Sequence, residues 1–289
     1  MSRTAVTIEE IVSRTPDLPT IPAAAIKVMR ETEKSDASAS SVAKILTTDQ
    51  SLSARVLRLA NSSFYGMSRR VENLSEAVVI LGMRTVKNLA VVASTYPYMS
   101  RALTGYALEP GAMWEHACGT AVGAQLVAQL SGKVPGDVAF TCGLLHDVGK
   151  LALSINLENK IGAILHYAQR EEIAFDEAER RILGYDHCQV GAYLANSWNM
   201  PESVVMSARF HHDPEALPEP RLVVDTVHVG EFLATSMGFG LGGDGLLYKF
   251  QSSSLDRLGI KEQELDRITD SFIDQFEEFE SLFSELKAA

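Results

Sequence analysis

The chain has 289 residues, with 26 Lys and Arg against 37 Asp and Glu, giving a formal charge of −11. Such a surface would attract neither nucleic acid nor an anionic membrane, and 46% hydrophobic with 22% charged residues is the usage of a folded domain. No run approaches the roughly 20 uncharged apolar residues of a membrane span, and residues 1–10 lack the basic-then-apolar order of a secretory signal. Cys118, Cys142 and Cys188 are widely spaced and form no CxxC pair. They read as core thiols of a cytoplasmic protein rather than as disulfides or a thiolate metal site.

Helical periodicity dominates and strand-like alternation is scarce, so an all-α fold is expected. A short helix from Thr7 leads into Leu18-Pro19-Thr20-Ile21-Pro22, where each proline suits a helix start. Helices follow over 23–32 and 38–46, the latter capped by Ser38, Ser40 or Ser41. Asp49 caps the next, whose Leu52, Val56, Leu57 and Leu59 make an apolar stripe, and Asn61-Ser62-Ser63-Phe64-Tyr65-Gly66 ends it. Another runs over 75–81 to Gly82, and a further one over 85–94. Residues 97–111 hold two prolines and two glycines and read as the connection between an N-terminal helical bundle (1–100) and a second helical domain (101–260).

The second domain is expected to contain helices over 112–130, around 139–153, and over 160–171, 175–183, 187–198, 201–211 and 222–237. The final segment, 261–289, carries nine acids and three bases, hence −6. Leu265, Ile268, Phe272, Phe276, Phe279, Leu282, Phe283 and Leu286 recur there at helical spacing as one apolar stripe. This acidic amphipathic helix suits packing on its own domain, with docking to a partner as the alternative.

Of seven histidines, five look like parts of one site: His116, His146 in Leu144-Leu145-His146-Asp147-Val148-Gly149-Lys150, His187, and the pair His211-His212. His166 and His228 read as structural hydrogen-bonding residues. Neighbours such as His146 and Asp147 point about 100° apart on a helix, so they share a cavity only if it is broad, as a two-metal cavity is. A carboxylate can bridge two cations, whereas each imidazole serves one. Mixed N and O donors without thiolate suit Fe, Mn, Zn or Ni, and Mg only if water and carboxylate fill most of its shell. Two ions roughly 3.5 to 4 Å apart would activate a water against a phosphate ester. Lys150, on the same helical face as Asp147, could neutralise that phosphate.

The HDxGK motif at 146–150, preceded by His116, resembles the HD phosphohydrolase superfamily. Its surroundings are similar, more specifically, to the HDOD family, the HD-related output domain of bacterial signalling proteins. The residues concerned are Leu18-Pro19 to Pro22, Asp49 to Leu52, Leu57 to Ser62, Ala77 to Gly82, Trp114-Glu115-His116, Gly184 to Trp198 with Pro201, and His211-His212. The likeness covers roughly residues 7–260. It implies an N-terminal helical bundle packed on an HD-like helical domain, a role in signal transduction, and one or two divalent transition metals, with Fe or Mn favoured over Zn, Ni or Mg. His116, His146, Asp147, His187, His211 and His212 match ligand positions of the related HD-GYP phosphodiesterases of cyclic dinucleotides.

Three departures stand out. Glu231 occupies the position of the family's final Asp, and Asp225, six residues earlier, lies about 120° round the helix on another face. After His212 the chain reads Asp213-Pro214-Glu215-Ala216-Leu217-Pro218, without the Gly-Tyr-Pro that accompanies cyclic di-GMP. Ala112 stands where a third metal would need an acid.

In one reading, Asp147 bridges two ions and Lys150 holds the phosphate of an ester or cyclic nucleotide. His116, His146 and Glu231 then complete one metal site, and His187, His211 and His212 the other. In the alternative, the chain is a non-catalytic regulatory module whose metal is structural or absent, and whose output is contact with a signalling protein. Arg55, Arg58, Arg69 and Arg70 make a small basic patch that reads as a solvated helix face, not a nucleic-acid site.

Overall fold

The computed structural model describes residues 7–14, 21–62, 65–67, 69–157, 160–240 and 248–287. The expected features at 15–20 and at Ser63-Phe64 lie outside them. Among the described residues there is no β-strand, and sixteen α-helices are present. The first half contains α1 (Ile8–Arg14), α2 (Ala23–Thr32), α3 (Ala39–Leu46), α4 (Gln50–Ala60), α5 (Leu74–Leu81) and α6 (Met83–Met99). The second contains α7 (Ala112–Ser131), α8 (Gly136–Leu145), α9 (Gly149–Leu157), α10 (Ile161–Glu171), α11 (Phe175–Leu183), α12 (His187–Ser197), α13 (Glu202–Phe210) and α14 (Leu222–Ser236). Then come α15 (Ser253–Leu258) and α16 (Glu262–Lys287).

Short polar side chains start α3, α4, α5 and α12 by accepting orphan N–H groups. Ser38 Oγ accepts from Ser41 N at 3.1 Å while Ser41 Oγ accepts from Ser38 N at 3.2 Å, a reciprocal capping box on α3. Asp49 caps α4 through Leu52 N at 2.9 Å, and Asp186 caps α12 through Gln189 N at 2.7 Å. That last cap fixes the backbone of His187.

Two elements depart from the periodicity. Helix α6 continues through Pro97 to Met99 instead of stopping at Ser94, because Val86, Leu89 to Ala93 and Met99 are all buried and that burial outweighs one lost ladder bond. The helix expected around 139–153 is two helices, α8 and α9, separated by a turn at His146-Asp147-Val148. Gly149 opens α9 just after this turn, where a Cβ would stand 1.9 Å from the His187 carbonyl oxygen and 2.6 Å from Gly191 N. Only glycine lets α9 meet the backbone of α12 this closely.

Helix α7 is buried along most of its length, as expected of a helix apolar on every side, and packs between α14 and α8. At Gly230 a Cβ would lie 2.4 Å from Ala124 N, so α14 and α7 also touch backbone to backbone. A single apolar core runs from Ile11 to Phe279 and joins the N-terminal helices to the rest. The buried ion pair of Lys87 with Asp137, 2.6 Å, links α6 to α8. The α16 stripe packs on the same core: Phe272 and Phe276 meet Phe239, and Phe279 meets Phe140 edge-on. The side chains of Leu282, Phe283 and Leu286 lie outside those described. The segment Gly136–Ile155 reaches a hydropathy compatible with a membrane span, more than the sequence reading allowed, but 89% of it is buried inside the protein.

Candidate metal centre

Five elements converge on one buried point. Helix α7 supplies His116, the turn between α8 and α9 supplies His146 and Asp147, the first turn of α12 supplies His187, the end of α13 supplies His211 and His212, and α14 supplies Glu231. His146, Asp147, His187 and His211 are completely buried. Around Asp147 Oδ2 stand His146 Nε2 at 3.4 Å and His116 Nε2 at 3.5 Å. Around Asp147 Oδ1 stand His187 Nε2 at 3.4 Å and His211 Nε2 at 3.5 Å. Glu231 Oε1 lies 3.9 Å from His146 Nε2, 4.0 Å from His116 Nε2 and 3.4 Å from His212 Nδ1, while His212 Nε2 lies 3.1 Å from His187 Nε2.

The imidazoles share an orientation with a chemical consequence. An oxygen with no proton can only accept, so a ring nitrogen facing one must donate. His146 Nδ1 faces Gly143 O at 2.5 Å, His211 Nδ1 faces Ser207 O and Ala208 O at 3.1 Å each, and His116 Nδ1 faces Phe239 O at 3.4 Å. His187 Nδ1 faces Glu179 Oε2 at 2.6 Å. Each therefore carries its proton on the outer nitrogen and turns Nε2 inward, the arrangement that orients metal-ligating histidines.

Burial alone would raise the Asp147 carboxyl, but Lys150 and His146 beside it hold it well below the usual carboxylate range. Glu231 is likewise held low against its burial by His212 and His211. Burial, followed by His146, lowers His116, and burial lowers His212 strongly. His187 and His211 move well above the imidazole range: burial opposes the charge, and Cys188 together with Glu179 for His187, or with Glu231 for His211, outweighs it. Two carboxylates held ionised inside the protein are a strong electrostatic sink for cations.

The donor set fits a metal. Three groups, His116-His146-Glu231, His146-Asp147-His211 and His187-Cys188-His211-His212, each place their donor atoms within 4.8 Å of one another. Buried His116 Nε2, His146 Nε2 and Asp147 Oδ1 make no aligned hydrogen bond among the described residues, and a buried polar atom is costly unless something satisfies it.

All seven residues expected as ligands thus come together, and Asp225 lies on another face of α14, as the helix arithmetic has it. That carboxylate turns away and receives Arg257 Nε at 3.0 Å and Ser254 Oγ at 2.7 Å. His228 is structural, donating from Nδ1 to His211 O at 2.7 Å and accepting Gln251 N at Nε2 at 3.0 Å. Lys150 is 4% exposed with Nζ 2.6 Å from Asp147 Oδ2, so its charge serves the carboxylate within the cluster.

Residues missed from the sequence surround the cluster. Glu179, fully buried, accepts both Nδ1–H and backbone N–H of His187 and also the Tyr106 hydroxyl. Its available signal was an acid set within the buried stripe Phe175, Ala178 and Leu183 of α11. Tyr248 stacks on His212 with ring centres 3.6 Å apart. Cys188 departs from the plain core thiol expected of it, because its sulfur borders His187 and His211. A cleft of about 250 Å³ opens beside His212 and Glu231, walled by Phe232, Tyr248 and Phe250 with Lys249 at the rim.

Known proteins share this fold. A Geobacter sulfurreducens HDOD domain protein of unknown function is 26% identical, with TM-score 0.75 over 96% of both chains. A candidate phosphohydrolase from Shewanella amazonensis SB2B is 25% identical, with TM-score 0.68 over 96% of this chain and 97% of that one. A candidate signal transduction protein from Marinobacter aquaeolei VT8, at 23% identity and TM-score 0.78, shares the fold over 98% of this chain and 63% of that one. An uncharacterized protein of Treponema pallidum (strain Nichols) is 29% identical over 223 residues, which span 75% of this chain and 42% of that relative. The HDOD domain pattern itself matches residues 18–214, taking in the capped N-terminal helices and every histidine of the cluster, and the chain belongs to the HDOD family.

Proposed function

We propose that this chain is a cytoplasmic signal-transduction protein whose cluster holds one or two divalent transition metal ions shared through Asp147. One observation carries the reading: His116, His146, His187 and His211 are anchored at Nδ1 and turned through Nε2 toward the two oxygens of a single buried carboxylate. In this reading His116, His146 and Glu231 hold one ion and His187, His211 and His212 the other, with Fe or Mn favoured over Zn, Ni or Mg. Bound there, the metal would polarise a phosphoryl oxygen and acidify a water. Asp147 keeps the two half-sites in register, and Glu179 with the backbone carbonyls fixes the imidazole planes. The test is metal content per chain, measured on protein purified without chelator. One or two equivalents in wild type, reduced in Asp147→Asn, are expected, and metal-free wild type refutes the reading.

A second reading adds turnover of a phosphate ester, cyclic nucleotides included. It is favoured by the cleft beside His212 and Glu231, whose aromatic walls and Lys249 suit an anionic ester, and by the 25% likeness to a candidate phosphohydrolase. Metal-loaded protein would hydrolyse generic phosphodiesters and Asp147→Asn would not. Without turnover in the loaded wild type, the output is regulated contact with a signalling protein partner.

A further inference from the structure

We propose that Cys188 is a metal ligand, so that the half-site built on His187, His211 and His212 is a mixed imidazole–thiolate site preferring zinc or cobalt(II) to manganese. The inference rests on the reading above that the cluster holds metal, and for this half alone it replaces the preference for Fe or Mn.

Cys188 follows His187 in the first turn of α12 and is 3% exposed. Its sulfur lies 3.5 Å from His187 Nε2 and 3.8 Å from His211 Nε2, and His187 Nε2 lies 3.1 Å from His212 Nε2. On a tetrahedral zinc, with Zn–N about 2.0 to 2.1 Å and Zn–S about 2.3 Å, nitrogens stand about 3.3 Å apart and nitrogen and sulfur about 3.6 Å apart. The observed edges are within a few tenths of an ångström of that figure. Three of the six edges thus have the spacing of one coordination shell, and all four donor atoms lie within 4.8 Å of one another.

Two independent observations separate this thiol from the others. Cys118 and Cys142 belong to the contiguous apolar core, and Cys188 does not. Asp147 Oδ1, buried and without an aligned hydrogen bond among the described residues, reaches the same two nitrogens at 3.4 and 3.5 Å. A carboxylate oxygen and a sulfur thus meet one pair of imidazoles from different elements. The opposite group, His116, His146 and Glu231, contains only nitrogen and oxygen donors. A soft ligand on one side alone makes the halves unequal in metal preference.

Cobalt(II) alone, titrated into metal-stripped full-length protein, is the direct probe, because a thiolate–cobalt bond produces an intense near-ultraviolet charge-transfer band that imidazole and carboxylate ligation do not. Wild type and Cys118→Ala should show the band, and Cys188→Ala and Cys188→Ser should lose it. Zinc affinity should fall on the order of tenfold in the Cys188 variants while manganese affinity changes far less. Cobalt uptake by wild type with visible d–d bands and no charge-transfer band overturns the thiolate ligand and leaves the metal reading standing. No cobalt uptake by wild type overturns both. The wild-type spectrum decides even if a variant fails to fold.

Discussion

Replacing Glu179 with glutamine tests whether a residue remote from the half-sites' shared carboxylate controls them through His187. The carboxylate is completely buried; Oε2 accepts His187 Nδ1–H at 2.6 Å and His187 backbone N–H at 2.9 Å, and Oε1 accepts the Tyr106 hydroxyl. Glutamine has nearly the same shape. Its carbonyl can take both His187 protons, so neither His187 contact is stranded; its amide can only donate to the Tyr106 oxygen, so the charge and the acceptor of the Tyr106 hydroxyl proton are lost. Charge-assisted hydrogen bonds are roughly twice as strong as neutral ones, so the two contacts to His187 lose about 1 kcal/mol each. Outer partners of metal-ligating histidines contribute on the order of 10- to 100-fold to affinity, about 1.4 to 2.7 kcal/mol, which agrees with that sum. Competition for zinc against a chromophoric chelator should show Kd rising by this factor, with a melt of the metal-free protein confirming that it remains folded. A Kd within about twofold of wild type would refute the orienting role. Alanine at the same position strands two buried donors of His187 and should cost about 1 to 3 kcal/mol of stability for each.

The remaining expectations concern packing and pH. Gly149→Ala must separate α9 from α12, since its Cβ would lie 1.9 Å from the His187 carbonyl oxygen; a loss of about 3 kcal/mol is expected, read as a melting temperature lower by roughly 6 to 12 °C. An unchanged melt would contradict the close approach. Phe272→Ala on α16 removes a fully buried ring packed on Phe239 and should destabilise by about 3 to 5 kcal/mol in a denaturant titration; a change near zero would mean that α16 is not part of the core. Burial raises the Cys142 thiol from 9.0 to about 11, so the unfolded chain loses this proton first as pH rises. Its contribution is complete below pH 9 and disappears as pH approaches 11, about 3 kcal/mol across two pH decades. Cys142→Ala, whatever its own cavity cost, should therefore show a flatter decline of stability over that window than wild type, and parallel declines would refute the assignment.

The helical architecture was legible because apolar spacing and caps are local properties. The bounds of α2 and α11 agree with the periodicity at both ends, and Ser38 and Asp49 cap as their chemistry suggests. The errors lie where distant contacts decide. Nothing near Pro97 reveals that α6 will be buried on both sides of it, and the close approach of Gly149 beside the turn at His146-Asp147-Val148 is to α12, which the chain reaches only some forty residues later. Helix α15 was not foreseen because its six residues are too few to show a period. Its Ser254 and Arg257 nonetheless occupy Asp225 and keep that acid out of the cluster.

The same distinction governs the site. Ligand types and their motif context could be read in one dimension, and helical arithmetic sufficed to separate Glu231 from Asp225. What orients the ligands could not, since Glu179, Gly143 O and Phe239 O are chosen by which helix faces meet. Glu231 shows how the two levels combine. Its arm is one methylene longer than the family's aspartate; α14 lies against α7 with Gly230 at the backbone contact, and Glu231 Oε1 reaches His212 Nδ1 at 3.4 Å while staying within 4.0 Å of His116 and His146. One carboxylate oxygen thereby touches histidines assigned to both half-sites. An aspartate from the same Cα would fall about 1 Å or more short along its side chain, so the glutamate's extra methylene is what brings its oxygen beside all three histidines, which the proposed reading divides between two ions.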